Sequence, residues 1–588
     1  MQTYNNPVLE KLPKHLRKYV VPQNYARYTS EDQAIWRYVM RQNYEFLKDV
    51  AYYPYIPGLR KAGLSIEYIP DLQQMNDSLQ KIGWGAVTVD GFIPPAAFME
   101  FQANCVLVIA ADIRQIDHIS YTPAPDIIHE SSGHAPIIGE PEYAEYLQYF
   151  GEIGAKAMST AKDFEVYEAI RELSILKEQE GVAEEELQEA TARLDKALAI
   201  EEEPSEMTLL SRLHWWTVEY GLIGTLEDYK IYGAGLLSSI GESATCLQED
   251  VKKINYTLDA IQYAYDITKP QPQLFVTKDF QQSYAVLEEF ASQMAFRQGG
   301  KVGIQKAIFS QHIATAVYSS GIQVSGVFQE VTFDRDLIYI KTKGPTALSI
   351  ADKELAGHGT SYHQDGFGSP IGKLFGFEKP LEDFTKNELT DVGIVIAAQV
   401  QLTFESGIEV NGEVSHILEE AGKTILISFK KCTVIHIPSQ TVLFEPAWGV
   451  YDMAVGENIV SVYAGAADKF AFEPEMSVAS SKKQPTIASK KRLKLFDLYS
   501  NLRHIREDKP NNVTLFEIYE ILKNEYPKDW LAMLEVYELS FYWDYSELGS
   551  FALKELNKKI KKHPEFTKQI QDGIRLAKLL SLNFDLTD

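Results

Sequence analysis

The sequence predicts a multidomain protein: a mainly α first half with a charged helical-hairpin insertion, then a mostly β domain, then a small α-helical domain. Three observations predict it. The chain has 588 residues, too many for one unit at roughly 100–200 residues per domain. Hydrophobic residues make up 45% and aromatics 12%, enough to fill several cores. The texture of the chain also changes abruptly, near residue 297 and again at Ser477–Lys491.

Residues 1–296 are rich in aromatics and helix-compatible runs broken by short Pro/Gly stretches. Within them, 161–206 is crowded with Glu and Lys, and Leu187, Ala190, Leu194, Ala197 and Leu198 recur at heptad-like spacing. That pattern predicts two antiparallel helices joined near Gly181 and ended by Pro204, a solvated arm. Gly299-Gly300 opens a stretch of short β-rich runs, Leu337–Lys341, Thr424–Phe429 and Thr433–Ile437, predicting a mostly β domain over 297–476. Asn411-Gly412 reads as a hairpin turn, because both residue types tolerate positive φ. Residues 477–491 read as a linker, and LFEIYEILKNEY and YSELGSFALKELNKKI give 492–588 helical periodicity.

The net charge of −25 argues against a nucleic-acid binder, which needs clustered cations. Cys105, Cys246 and Cys432 are scattered and odd in number, which suits a reducing cytoplasm. The N-terminus lacks an apolar signal core, and the run Cys105–Ala111 is too short to span a bilayer, so no membrane role is expected.

Two strings carry metal-binding chemistry. In PDIIHESSGHAP, His129 and His134 stand five apart, so on an ideal α-helix they diverge by roughly 140°. A helix ending at Gly133 in a left-handed turn would bring His134 back, and Pro136 argues against continuation. The spacing is not that of HExxH zinc proteases, which counts against a hydrolase using Glu130 as base. In LHWWTVEYGLIG, Glu219 sits in an apolar window where a carboxylate is costly to bury unless paired or metal-bound. Two imidazoles and one carboxylate form the facial set of non-haem Fe(II) oxygenases. Taken singly, each residue also fits a cap, a core position or a buried ion pair, and spacing alone leaves both readings open. A third string, YGAGLLSSIGE, places Ser238 and Glu242 in a Gly/Ser-rich turn. A further cluster, His358 and His363 with Asp365 in HGTSYHQDGFG, reads as a surface loop.

These strings, in this order, resemble the pterin-dependent aromatic amino acid hydroxylases, whose pattern runs PD-x-x-HE-x-x-GH-x-P. The resemblance covers most of residues 70–292 outside the charged insertion. It implies that 1–296 is a catalytic domain of aromatic amino acid hydroxylase type, with His129, His134 and Glu219 as catalytic iron ligands. It further implies that Arg114 pairs with the substrate's α-carboxylate, as a guanidinium suits. Thr122, Trp215 and Ser238 match positions at the substrate and around the iron, and Glu242 one beside the ligands. Phe98 and Glu130 match positions on the pterin. Gly91, Phe92 and Ile93 occupy the family's pterin loop, where Gly91-Phe92-Ile93-Pro94-Pro95 replaces Gly-Leu-Leu-Ser-Ser. Ser131-Ser132 replaces a Leu pair, and His214 an aromatic.

The implied cofactors are Fe(II) and tetrahydrobiopterin or a related tetrahydropterin, with O₂ as co-substrate. Val276 matches a position that is Val in phenylalanine hydroxylases and Asp in tyrosine hydroxylases, so the resemblance implies conversion of L-phenylalanine to L-tyrosine. Tryptophan or tyrosine hydroxylation is the alternative within the family. A binding protein with a vestigial iron site is the alternative of another class. The role of 297–588 and the oligomeric state are not legible.

Overall fold

The computed structural model describes residues 4–91, 93–119, 125–178, 182–266, 269–329, 337–472, 489–509 and 513–582. Helix α1 (Ser30–Val50) begins with a reciprocal capping box: the Thr29 hydroxyl accepts from Asp32 N–H, and the Asp32 carboxylate accepts from Thr29 N–H. It buries Trp36, Val39, Met40 and Leu47. Strands β1 (Gly85–Val89) and β2 (Val106–Ala110) pair in parallel around helix α2 (Pro95–Ala103). All ten of their residues are buried; β2 reads as an unbroken apolar run, and β1 is broken only by Thr88, whose hydroxyl bonds Val21 O. Helix α3 (Pro141–Gly154) lies against α2 so closely that a Cβ on Gly151 would fall 2.4 Å from Ala103 N.

The charged insertion is two helices, α4 (Ala161–Glu178) and α5 (Glu184–Leu198). Gly181, the expected turn, lies outside the described residues. Ala190 and Ala197 are buried, whereas Leu198 is 55% exposed and takes no part in the seam. Arg193 on α5 reaches Glu165 and Glu172 on α4 at 2.9 and 2.5 Å. The arm returns to where it left: Lys162 Nζ donates to Ile200 O at 2.5 Å, and Thr208 Oγ1 to Asp163 Oδ1 at 2.7 Å. The chain thus resumes helix α6 (Glu206–His214) beside α3. Strands β3 (Leu222–Gly224), β4 (Tyr229–Ile231), β5 (Lys252–Asn255) and β6 (Gln273–Thr277) form a small sheet in the order β4-β3-β6-β5. Between β4 and β5 sits the short helix α7 (Ala234–Ser238).

Gly300 opens a helix, α8 (Gly300–Ser310), not a strand run, so the β region starts later than its glycines suggest. Strands β7 (Ile313–Tyr318), β8 (Ile322–Phe328) and β9 (Tyr339–Ile350) are consecutive neighbours of one sheet. A second sheet is built on β10 (Ile408–Glu420), β11 (Lys423–His436) and β12 (Tyr451–Ala454). The expected strands Thr424–Phe429 and Thr433–Ile437 are therefore one continuous strand, except for Ile437. Asn411-Gly412 is not a turn either; both residues lie inside β10. Gly412 is needed for close approach, since its Cβ would meet Cys432 and Phe429 Cβ at 3.1 Å beside a register shift. The turn is made by Ala421 and Gly422, whose φ values of +46° and +80° suit a tight hairpin.

Ser477–Lys491, expected as a linker, lies largely outside the described residues, and Lys490 and Lys491 already belong to a helix capped by Ser489. The C-terminal helices are α9 (Lys490–Arg506), α10 (Leu515–Glu525), α11 (Leu531–Tyr542), α12 (Ser546–Lys562) and α13 (Thr567–Leu582). Their core is continuous with that of α1. Arg37 ion-pairs with Glu535 and Arg41 with Glu538, while Arg506 meets the same carboxylates at 3.3 and 2.8 Å. No helix among the described residues is long and apolar enough to cross a membrane.

Candidate active site

The strings carrying His129, His134 and Glu219 both fold as π-helical turns. The first spans His129–His134 and continues directly into helix Ala135–Ile138, with Pro136 in its first turn, where a missing N–H is tolerated. The expected left-handed stop at Gly133 is therefore wrong. Bonding from i to i+5 widens each turn, so residues five apart share a face without a break. Gly133 serves packing instead: a Cβ there would stand 2.6 Å from Ala234 O. Its absence lets α7 close on the turn and brings Ser238 Oγ to 2.9 Å from His129 Nδ1. The second π-turn, Trp215–Glu219, extends α6 and closes with Tyr220 N–H on Trp215 O at 2.8 Å.

Together the turns aim His129, His134 and Glu219 at one point. His134 Nε2 is 3.2 Å from Glu219 Oε1, and His129 Nε2 is 3.4 Å from Oε2. The imidazole planes cross at 86°. Hydrogen bonding assigns the His129 tautomer. Ser238 gives its hydroxyl proton to Ala234 O at 2.8 Å, so it accepts from His129 Nδ1–H. Nε2 is left facing the Glu219 carboxylate, where a proton on it stabilises that anion and a metal would take the proton's place. Burial opposes ionisation of Glu219, yet His134 and His129 hold its carboxyl well below the usual range. Two imidazole nitrogens converging on one carboxylate in a largely buried site form a donor set that fits a divalent transition metal.

A second carboxylate competes. Glu130 joins His129 and His134 in a group whose ligand atoms lie within 4.8 Å of one another. Its Oε2 is 3.8 Å from His134 Nε2, and burial pushes its carboxyl up to about 8. Glu219 faces both imidazoles at closer range than Glu130 does, and its carboxyl is held low where burial pushes that of Glu130 up.

Arg114 is anchored rather than exposed. Asp126 accepts from Arg114 Nε and Nη2 at 2.8 Å each and from its backbone N–H at 2.9 Å. The same carboxylate accepts from His129 N–H at 3.0 Å, tying the guanidinium to the start of the first π-turn. Burial opposes the charge on Asp126, but Arg114 and these amide donors hold its carboxyl below the usual range. Asp126 had a signal in the PD of the motif, yet nothing in its spacing revealed this role.

Trp215 is clamped: Tyr265 stacks on it at 4.3 Å and Tyr220 at 4.5 Å. The Tyr220 hydroxyl donates to Glu242, whose carboxyl burial pushes up to about 7. Tyr265 lies in a loop with no periodicity, so no sequence signal pointed to it. His214 is kept neutral by burial, with its pKa down to about 4, and packs edge-on against Phe98 at 5.9 Å. Phe98 is thus a partly buried residue of α2 one ring removed from the cluster. Gly91 has φ of +70° and Ile93 is half-buried, while Phe92 and Thr122 lie outside the described residues. Val276 is 2% exposed within β6.

The model of the biopterin-dependent aromatic amino acid hydroxylase family matches residues 14–185 and 190–314, half of the chain. Phenylalanine-4-hydroxylase of Chromobacterium violaceum is 29% identical over 285 residues, covering 46% of this chain and 81% of that protein. The Caulobacter vibrioides phenylalanine-4-hydroxylase is 25% identical over 344 residues, 58% of this chain and 93% of the relative. Among solved structures, the Chromobacterium violaceum enzyme with bound iron(III) and 7,8-dihydrobiopterin matches at 26% identity with a TM-score of 0.38. That match covers 47% of this chain and 86% of that one. The chain belongs to the biopterin-dependent aromatic amino acid hydroxylases, and it is an enzyme of that family.

Proposed function

We propose that this enzyme hydroxylates L-phenylalanine to L-tyrosine with O₂ and a tetrahydropterin, at an Fe(II) held by His129, His134 and Glu219. The observation that carries the reading is the pair of imidazole nitrogens 3.2 and 3.4 Å from one carboxylate. The phenylalanine hydroxylases among the relatives support the substrate, as does the apolar Val276. Iron and reduced pterin, when bound, supply the activation of O₂, one oxygen atom going to the aromatic ring and the other to the pterin.

The protein's own groups orient and seal. Arg114, locked to Asp126 along one edge, offers its remaining N–H groups to the amino acid carboxylate, so the head group is fixed relative to His129. Trp215, stacked with Tyr220 and Tyr265, is held in one orientation beside the π-turn that carries Glu219. Glu130, whose carboxyl burial pushes up to about 8, and Phe98 of α2 are the residues that would face a bound pterin, Glu130 as a hydrogen-bonding group and Phe98 as an apolar surface. Ser238 positions His129. Ser238→Ala therefore weakens Fe(II) binding by about 10–100-fold, the usual range when a ligand's supporting hydrogen bond is removed. Fe(II) titration of the variant checks this; an unchanged affinity would remove Ser238 from the account.

Substrate choice is tested by kcat/KM for phenylalanine, tyrosine and tryptophan with the iron-loaded enzyme. Phenylalanine leads tyrosine by about 10–100-fold, since an apolar pocket rejects an added hydroxyl only modestly. Preference for tyrosine or tryptophan would overturn the assignment while leaving the family intact.

A further inference from the structure

The histidine pair His358 and His363 was expected on a surface loop with Asp365. The fold places it otherwise. His363 is 8% exposed, Asp365 points to solvent, and Asp452 takes its place from the second β sheet. One ligand atom from each of His358, His363 and Asp452 lies within 4.8 Å of the other two. His358 Nδ1 and His363 Nε2 stand 3.2 Å apart. Two imidazole nitrogens on one tetrahedral zinc, each at ~2.0–2.1 Å, are separated by about 3.3–3.4 Å, so the pair is already spaced for a shared ion.

The scaffold around these three residues is rigid. The loop carrying the histidines hangs on β9, with Leu348 N–H donating to His358 O at 2.9 Å and Thr346 N–H to His363 O at 3.1 Å. Gly357, with φ of +83°, and Gly359, whose Cβ would meet the Glu354 carboxylate at 2.5 Å, permit the tight path that turns both rings inward. Asp452 sits on β12 directly opposite Ser428 of β11, which in turn pairs with His416 of β10. Partners in such a ladder share a face. Ser428 donates to Asp452 Oδ1, and the Tyr362 hydroxyl bonds the same carboxylate. No lysine or arginine among the described residues ion-pairs with this 5% exposed carboxylate. His416 is exposed on the same face, near enough to His358 to feel its charge.

We propose that His358, His363 and Asp452 form a second metal site, for a divalent transition ion of zinc type, at the junction of the two β sheets and separate from the His129 centre. Two imidazoles and a carboxylate match three-protein-ligand zinc sites, which keep a fourth position for solvent or another donor. Ser428 is a positioning residue that orients Asp452. The site lies in 358–452, beyond the residues that match the hydroxylase family, and it stands whether or not the first half hydroxylates phenylalanine.

Metal stoichiometry of the untagged full chain tests it, in a His129→Ala/His134→Ala background that disables the first centre. After chelator treatment this protein, titrated with Co(II), binds one equivalent and shows the visible absorption of a low-coordinate cobalt site. Zn(II) displaces that signal. Adding Asp452→Asn or His363→Ala abolishes the equivalent, and Ser428→Ala weakens it by about 10–100-fold. Asp452→Asn preserves side-chain shape, so it carries the test if His363→Ala does not fold. No bound equivalent in the background protein, or binding that survives Asp452→Asn, would mean that the pair is only a histidine–histidine hydrogen bond.

Discussion

His134→Ala yields a protein that has lost the iron equivalent of the His129–Glu219 centre after dialysis and forms no tyrosine. His134 is the more deeply held of the two imidazoles, with its side chain 2% exposed against 17% for His129. Its Nδ1 is buried with no hydrogen-bond partner among the described residues, so its position depends on packing and on what Nε2 binds. Removing it leaves Glu219 and His129 as a two-point site and leaves Glu130 without the histidine that moderates its burial. His129→Ala has the same outcome, since Ser238 then orients nothing. Metal analysis before and after Fe(II) loading, with product chromatography, reads both effects. Stoichiometric iron with unchanged turnover in either variant would dismiss these residues as ligands.

The second large effect is on stability. Glu535→Ala destabilises the native chain by about 3 kcal/mol, because it leaves buried Arg37 with only the longer 3.5 Å contact to Glu67 and strips one carboxylate from Arg506. Both Arg37 and Glu535 side chains are only 5% exposed, so solvent screening gives little relief. The cost falls on the contact between α1 and α11, and the chain melts in more than one step, so the first thermal transition is the one to follow. An Arg37→Met/Glu535→Leu pair recovers most of the loss, since an apolar pair of similar volume is often neutral. A shift no larger than that of an exposed ion pair, about 1 kcal/mol, would contradict the burial argument. Acid acts on the same contact. Burial opposes the charge on Glu538, yet Arg41 and Arg506 hold its carboxyl well below the usual range. Its contribution is complete above the ordinary carboxylate pKa of ~4.3 and is lost progressively as pH falls from there through the lower folded value.

Much of this was legible because the residue types carry the chemistry. The resemblance of the ordered strings to the hydroxylase pattern pointed to one site for His129, His134 and Glu219 across the 161–206 insertion, and α4 and α5 could be read from charge and periodicity. What failed was geometry that residue spacing does not encode. A π-turn satisfies the five-residue spacing as well as a broken helix does, and Gly133 answers equally to a left-handed turn or to close packing on Ala234. Asn411-Gly412 has turn chemistry, yet two long strands run through it, because tertiary pairing outweighs local propensity. The partner of His358 and His363 was mistaken for the neighbouring Asp365, since only the stacking of strands brings in Asp452 from some ninety residues away. The contact of α11 with α1 likewise depends on residues about five hundred positions apart.

The central claim is tested most directly by one coupled assay of the anaerobically Fe(II)-loaded wild-type chain. Phenylalanine, tetrahydropterin and O₂ are supplied together, and tyrosine and oxidised pterin are quantified from the same samples. The account predicts that both accumulate in equal amounts and only when iron is present. Stoichiometric iron binding with no tyrosine and no pterin oxidation would contradict it.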